Sequence, residues 1–196
     1  MLNKPLNNYK TFNSKNFVYA SLRENDISEQ YIEWLNDIQI NRYLEAGKTT
    51  QNFHTICNYV NYLRTFSSCD LFTIRYKKDM THIGNLTITP SLNENTGVYG
   101  LMIGLLNQPL GSLAAVESSI AIIDYIFYHL GKEIDVQKVH LSNTRALRLI
   151  NFLGFTAINS RCNGDSKIFR LTRVDWTDRR KNYERITGII QVLDQI

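Results

Sequence analysis

A chain of 196 residues that is 43% hydrophobic can bury a sizeable core and fits one domain better than two. Its 22 Lys and Arg against 18 Asp and Glu leave a formal charge of +4, with no massed basic block, which excludes the basic footprint of a general nucleic-acid binder. Cys57, Cys69 and Cys162 lack C-x-x-C spacing, and His54, His82, His129 and His140 lie far apart, so the pattern points to reduced thiols and no metal.

Met1 to Lys15 reads as a polar lead with no apolar run after it, against a secretory signal. Phe17 to Leu22 follows as a short strand, and Asn25-Asp26 offers a cap before a helix from Ile27 to Leu35, whose Tyr31, Trp34 and Leu35 share one face. Ile38 to Leu44 reads as a second short helix. Thr50 to Phe66 reads as a third, with Phe53, Ile56, Cys57, Val60 and Leu63 at helical spacing. From Leu71 the period changes to two, so Phe72 and Ile74, a Lys-Lys-Asp turn, and Ile83, Leu86 and Ile88 form a hairpin. Asn93 to Gly97 is a second turn before a strand from Val98 to Leu106.

Gly111 to Leu130 is apolar almost all round, which marks a buried helix, and Gly131 closes it. Its longest apolar stretch, Ile120 to Leu130, is broken by Asp124 and His129 and falls short of the roughly 20 residues of a membrane helix. A soluble, cytoplasmic protein with no membrane partner is expected. A strand around Asp135 to Leu141, a helix from Thr144 to Leu153 capped by Asn143 or Ser142, and strands near Phe155 to Asn159 and Lys167 to Arg173 complete the series. No repeat or Pro-rich linker divides the chain, so residues 1–196 read as one mixed α/β domain, with a core of about 17–173 and a helical tail of 174–196. In that tail Tyr183, Ile186, Ile190 and Leu193 recur on one helical face, which must dock on its own domain or pair in a homodimer.

Leu101 to Glu117 is a strand, a turn and the start of the buried helix, an arrangement that aims free backbone N–H groups and the positive end of a helix dipole into the turn. A pyrophosphate suits it, with Gly111 permitting close approach and Ser112 offering a hydroxyl. Later, Ser142 to Phe155 forms a capped helix ending in Leu-Gly-Phe.

Asn143-x-x-Ala146 followed by Leu153-Gly-Phe155 resembles the segment that closes the cofactor half of GNAT-superfamily acetyltransferases, and Gln108-x-x-Gly111 resembles that superfamily's Gln/Arg-x-x-Gly-x-Gly/Ala pyrophosphate loop. Leu22-Arg23, Trp34-Leu-Asn-Asp37, Arg42-Tyr-Leu-Glu45 and His82-Ile-Gly-Asn85 are similar to the branch containing ribosomal-protein N-acetyltransferases and bacterial amino-sugar N-acetyltransferases. The resemblance implies a mostly antiparallel sheet with helices on both faces, and acetyl-CoA as co-substrate. It implies pantetheine contacts around Met102, Ile103, Leu105 and Asn143. It places the pyrophosphate on Gln108, Gly111, Ser112, Leu113 and Ala114, with Arg145 and Arg148 near phosphates. It puts Arg42, Tyr43 and Lys48 over an acceptor site suited to a nucleotide-linked amino sugar.

Three positions depart from the pattern: Leu113 replaces a Gly or Ala of the loop, Val98 a strand Glu that serves as base, and Ile150 a Tyr that protonates the leaving thiolate. Direct attack by an amine still needs a proton acceptor, for which His82, Tyr99 and Glu45 are the candidates. The alternatives are a protein α-amino acceptor, as in the ribosomal branch, or a non-catalytic acyl-CoA-binding domain.

Overall fold

The computed structural model describes residues 9–66, 69–90, 95–105, 108–158 and 164–193. Leu106, Asn159, Cys162 and turn residues 93–94 lie outside the described residues, as does the side chain of Glu45.

The chain opens with a hairpin of β1 (Thr11–Asn13) and β2 (Phe17–Ser21), paired Phe12 to Tyr19. β1 falls inside the stretch expected to be a polar lead. Its single apolar residue, Phe12, is fully buried and stacks on Tyr19, with ring centroids 4.5 Å apart. Asn25 and Asp26 form a short 3-10 turn, and the cap of α1 (Glu29–Asn36) is instead Ser28, whose hydroxyl accepts from the Tyr31 N–H at 3.2 Å. Tyr31, Trp34 and Leu35 share the buried face of α1, as expected. α2 (Ile38–Asn41), capped by Asp37, is followed by a 3-10 turn over Glu45–Lys48 and by α3 (Phe53–Phe66).

β3 (Asp70–Tyr76), β4 (His82–Pro90) and β5 (Thr96–Ile103) run as an antiparallel meander. α4 (Pro109–Asp124) continues into a wider π-type turn, Tyr125–His129. Then come β6 (Ile134–His140), α5 (Thr144–Leu153), β7 (Thr156–Ala157), β8 (Ser166–Thr172), α6 (Arg173–Arg180), α7 (Glu184–Thr187) and β9 (Gln191–Val192). The strands form one sheet in the order β7-β8-β6-β5-β4-β3-β2-β1-β9, antiparallel except at β5 and β6. Helices cover both faces: α4 lies on the layer of Tyr99, Ile103, Val139 and Phe169, and α1 and α3 on that of Leu22 and Met102.

The stretch Pro109–His129 is, by length and composition, long and apolar enough to cross a membrane, so the apolar run is longer than Ile120 to Leu130 suggests. However, 72% of its apolar window is buried inside the protein, where it forms the central core helix. Its polar residues are ties. Glu117, fully buried, accepts from the Ser14 hydroxyl, the Asn16 N–H and the Asn16 side-chain amide at 2.6, 2.6 and 2.7 Å, pinning the β1–β2 turn to α4. Asp124 accepts from Trp176 Nε1 at 2.7 Å and Arg180 Nε at 2.6 Å, and Arg180 also donates to the Gly188 carbonyl at 2.7 Å.

These bonds dock the tail on its own domain, but not as one helix. Gly188, at φ +65°, breaks the helix after Thr187, and the next residues turn into β9, which pairs with Phe12 and Asn13. Tyr183 is buried and Ile186 and Ile190 pack on the core, while Leu193 stays exposed. The sheet therefore takes in residues on both sides of the 17–173 span.

Arg180→Ala would leave a buried carboxylate without its cation, and breaking such a pair typically costs ~3 kcal/mol or more. Urea unfolding should show a loss of that order for Arg180→Ala and a much smaller one for the Arg180→Met, Asp124→Leu double variant.

Candidate active site

β5 and β6 share only two parallel pairs, Thr96 with Ile134 and Gly97 with Asp135. Beyond Gly97 the strands part, because each is committed elsewhere: β5 pairs with β4 as far as Ile103, and β6 pairs with β8 from Ile134 to His140. The Gly104 N–H donates to the Ile83 carbonyl at 2.8 Å. In an antiparallel ladder bonded pairs recur every second residue, so the backbone groups of Met102, Gly100 and Val98 face β4. Those of Tyr99, Leu101 and Ile103 face the gap. Of the residues expected to offer backbone groups there, Ile103 is so placed, whereas Met102 is used within the sheet; Tyr99 and Leu101 emerge from ladder parity, which sequence alone does not show.

α4 begins directly after the free end of β5. Gln108 is its N-cap without a side-chain cap, and Pro109 fills the first turn with no N–H to satisfy. Ser112 N–H already bonds the Gln108 carbonyl at 3.2 Å, and Gln108 N–H bonds Leu105 O at 3.1 Å. The N–H groups left at the tip are those of Leu110 and Gly111, which have no acceptor among the described residues. Gln108, Ser112 and Leu113 are exposed around them, while Ala114 is buried. Gly111 has a packing task of its own. A Cβ there would overlap the Leu105 carbonyl, so the missing side chain lets helix and strand end pack together.

Because β5 and β6 are parallel, the N-termini of α4 and α5 lie at the same edge of the sheet, on either side of the gap. Asn143 caps α5 through the Ala146 N–H at 3.1 Å, and Arg145 and Arg148 are exposed on the helix it starts. From the other side Trp34 covers Gly104, leaving no room for a Cβ. Beyond α2, Tyr43 crosses the open end of the gap: its hydroxyl donates to the Ser142 carbonyl at 2.9 Å and its ring lies 5.2 Å from that of His140. Arg42, its guanidinium 5.6 Å from the Tyr43 ring centroid, and Lys48 are exposed beside it.

The fold recurs in solved structures. A nucleotide-linked sugar GNAT, FdhC, in its apo form aligns over 91% of this chain and 98% of its own, with TM-score 0.72 and 19% identity. A GCN5-related N-acetyltransferase from Brucella melitensis aligns over 92% and 86%, with TM-score 0.74 and 15% identity. Spermidine N-acetyltransferase from Vibrio cholerae, in complex with CoA and spermine, aligns over 83% and 98%, with TM-score 0.69 and 17% identity. The chain has the GNAT acetyltransferase fold. No protein-family model matches the sequence, and no curated protein matches it.

Within this GNAT fold the three candidate proton acceptors are differently placed. His82 is packed between Tyr31 and Trp34, at centroid distances of 5.7 and 5.3 Å, with Nε2 3.0 Å from the Gly84 carbonyl. Burial, and then the nearby Arg75 charge, lower its pKa, so it is neutral and donates to that carbonyl. Tyr99 is buried under α4, and burial raises its pKa, which keeps it protonated at neutral pH. The side chain of Glu45 is outside the described residues. Val98 is half-buried on β5, and Ile150 lies in the core.

Asp135, at the vertex of the gap, was not among the candidates. It is fully buried, its Oδ1 accepts from Gln137 Nε2 at 2.8 Å, and its Oδ2 has no hydrogen-bond partner among the described residues. Burial pushes its pKa up to about 8. The folded protein therefore holds this proton where the unfolded chain, with an ordinary value of about 4, has lost it. The resulting stabilisation is complete below about pH 4 and fades as pH rises to about 8. Melting should thus show this contribution falling between pH 5 and pH 8, and Asp135→Asn should flatten that fall. Gly111→Val, which drives a side chain into the Leu105 carbonyl, should cost ~2 kcal/mol or more in urea unfolding.

Proposed function

We propose that the protein is an acetyl-CoA-dependent N-acetyltransferase whose acceptor is the primary amine of a nucleotide-linked amino sugar. The observation that carries this reading is the continuity of the gap with the tip of α4. Free backbone groups at Tyr99, Leu101 and Ile103 lead to the two free N–H groups of Leu110 and Gly111. An amide-bearing arm that ends in a pyrophosphate satisfies both: the arm bonds β5 as a short extra strand, and the phosphates meet helix-end donors and dipole. Ser112, Gln108, Asn143, Arg145 and Arg148 stand around that end, and Tyr43 closes over the opening. The spermidine N-acetyltransferase that binds CoA supports the co-substrate, and the nucleotide-linked sugar GNAT supports the acceptor class.

The chemistry is direct acyl transfer. The acceptor nitrogen forms a bond to the thioester carbonyl carbon, the carbon–sulfur bond breaks, and the amine proton passes to the thiolate or to solvent. His82, donating to Gly84 from Nε2, keeps the Nδ1 lone pair as its one basic nitrogen, weakened by burial. Tyr99 is held protonated, and in this reading positioning carries most of the rate. A thiol of pKa near ~8.5 leaves without much help.

Ser112→Asp separates binding from folding. An acidic residue in the first turn of a helix stabilises it, whereas a carboxylate beside the phosphates repels them. Calorimetry with CoA should show at least ~10-fold weaker binding, about 1.4 kcal/mol, with the melting temperature kept or raised. Undiminished affinity places the phosphates elsewhere. A screen of thiol release with amino sugars, peptides and polyamines tests the rest: release with a peptide amine alone moves the protein to the ribosomal-type reading, and CoA binding without release on any amine makes it a binding domain.

A further inference from the structure

The ten glycines sort by reason, with one exception. Gly131, Gly154, Gly164 and Gly188 have positive φ, and at Gly47, Gly84, Gly97, Gly104 and Gly111 a Cβ would collide with a neighbour. Gly100 has neither reason. It sits inside β5, opposite Thr87, its backbone is not in the left-handed region, and the nearest atom to a Cβ built there is Thr87 Cβ at 3.8 Å, an ordinary contact. A strand interior is a poor place for glycine, and one that packing does not require marks close approach by something else.

Its surroundings say what. Side chains alternate along a strand and directly opposed residues share a face, so Val98, Gly100 and Met102 lie with Thr89, Thr87 and Asn85. α1 and α3 cover the Met102 end of this face. At the other end Gly100 and Thr89 are exposed and Val98 and Thr87 half-exposed, next to the point where β5 and β6 part. That floor carries two hydroxyls, an isopropyl group and a gap where a side chain would be, and no carboxylate among the described residues of the two strands that form it.

We propose that Gly100 keeps this floor clear as the seat of the acceptor's amine-bearing ring, and that this part of the acceptor is a hydroxyl-bearing sugar ring rather than a polycation. The inference rests on the acetyltransferase reading and specifies its substrate. A flat sheet patch with threonine hydroxyls can stack and hydrogen-bond a sugar, whereas a polyamine needs carboxylates to replace its hydration. The seat adjoins the vertex of the gap, where an arm lying along Leu101 and Ile103 would present its thioester.

The test uses full-length Gly100→Ala and Gly100→Val. Both side chains suit a strand, so melting temperatures should hold or rise. CoA affinity by calorimetry should stay within about two-fold. Thiol release from acetyl-CoA should be followed with a dTDP-linked amino sugar and with hydroxylamine, which is too small to need the seat. The ratio of kcat/KM for the sugar to that for hydroxylamine should fall at least ~10-fold in Gly100→Ala and further in Gly100→Val. An unchanged ratio overturns the proposal. So does a lower melting temperature, which gives the glycine a packing role, or a loss of CoA affinity, which puts the pantetheine on this face. A wild type that acetylates spermidine faster than the sugar overturns the acceptor class. CoA binding by the wild type is a separate matter: its absence sinks the acetyltransferase reading itself.

Discussion

The two-pair ladder between β5 and β6 is the constraint on which the rest of the molecule turns. A parallel ladder forms only while both strands run side by side, and here each has a longer commitment to its outer neighbour. The sheet is in effect two blocks joined at Gly97 and Asp135, and α4, which packs on β5, belongs to one buried cluster that takes in Tyr99 and Ile103 of one block and Val139, Phe169 and Leu171 of the other. Opening the ladder leaves backbone donors and acceptors without partners, a condition that folded proteins avoid. It is tolerable where water or a ligand with amides of its own reaches them. The fold thus makes a binding edge by withholding a strand.

A helix that must bridge two blocks has to be apolar on almost every side, yet α4 also carries Glu117 and Asp124 into the core. Burying a carboxylate is costly unless hydrogen bonds replace its hydration. Glu117 receives three such bonds from the β1–β2 turn, and Asp124 receives one from Trp176 and one from Arg180. The two acids therefore act as latches for the first turn and the last segment of the chain, and β1 and β9 can close the sheet edge although each is only two or three residues long. Among the described residues Asp135 has only Gln137 as a side-chain donor, and burial favours keeping its proton on.

What the sequence reveals follows from how local each signal is. The all-round apolar pattern of Gly111 to Leu130, the period of two from Leu71 and the Asn143 cap all arise within one element, and the structure has each of them. β1 and β9 give no period because Thr-Phe-Asn and Gln-Val are too short to show one, and the pairing between them joins opposite ends of the chain. The tail stripe did contain a warning. Gly188 stands between Ile186 and Ile190, and a residue that permits φ +65° ends a helix there. At the candidate site, the order of strand, turn and helix could be read. Which backbone groups face the gap could not, because ladder parity is fixed by the Ile83–Gly104 bond and not by residue type.

Glycine shows most directly how packing bears on a motif. In Gln108-x-x-Gly111 the glycine suggests a ligand pressed against bare backbone, but the atom pressed there is the Leu105 carbonyl of the protein's own strand. By letting α4 start hard against the end of β5, that contact sets the Leu110 and Gly111 N–H groups at the end of the row formed by Tyr99, Leu101 and Ile103. Gly104 does the same on the opposite face, where the Trp34 ring fills the space of a side chain and seats α1 beside the gap. A bulkier residue at either place would shift a wall of the site before it touched any ligand. The glycines flanking the opening thus set its width through packing, and a glycine without such a packing partner is the one whose emptiness calls for an occupant from outside the chain.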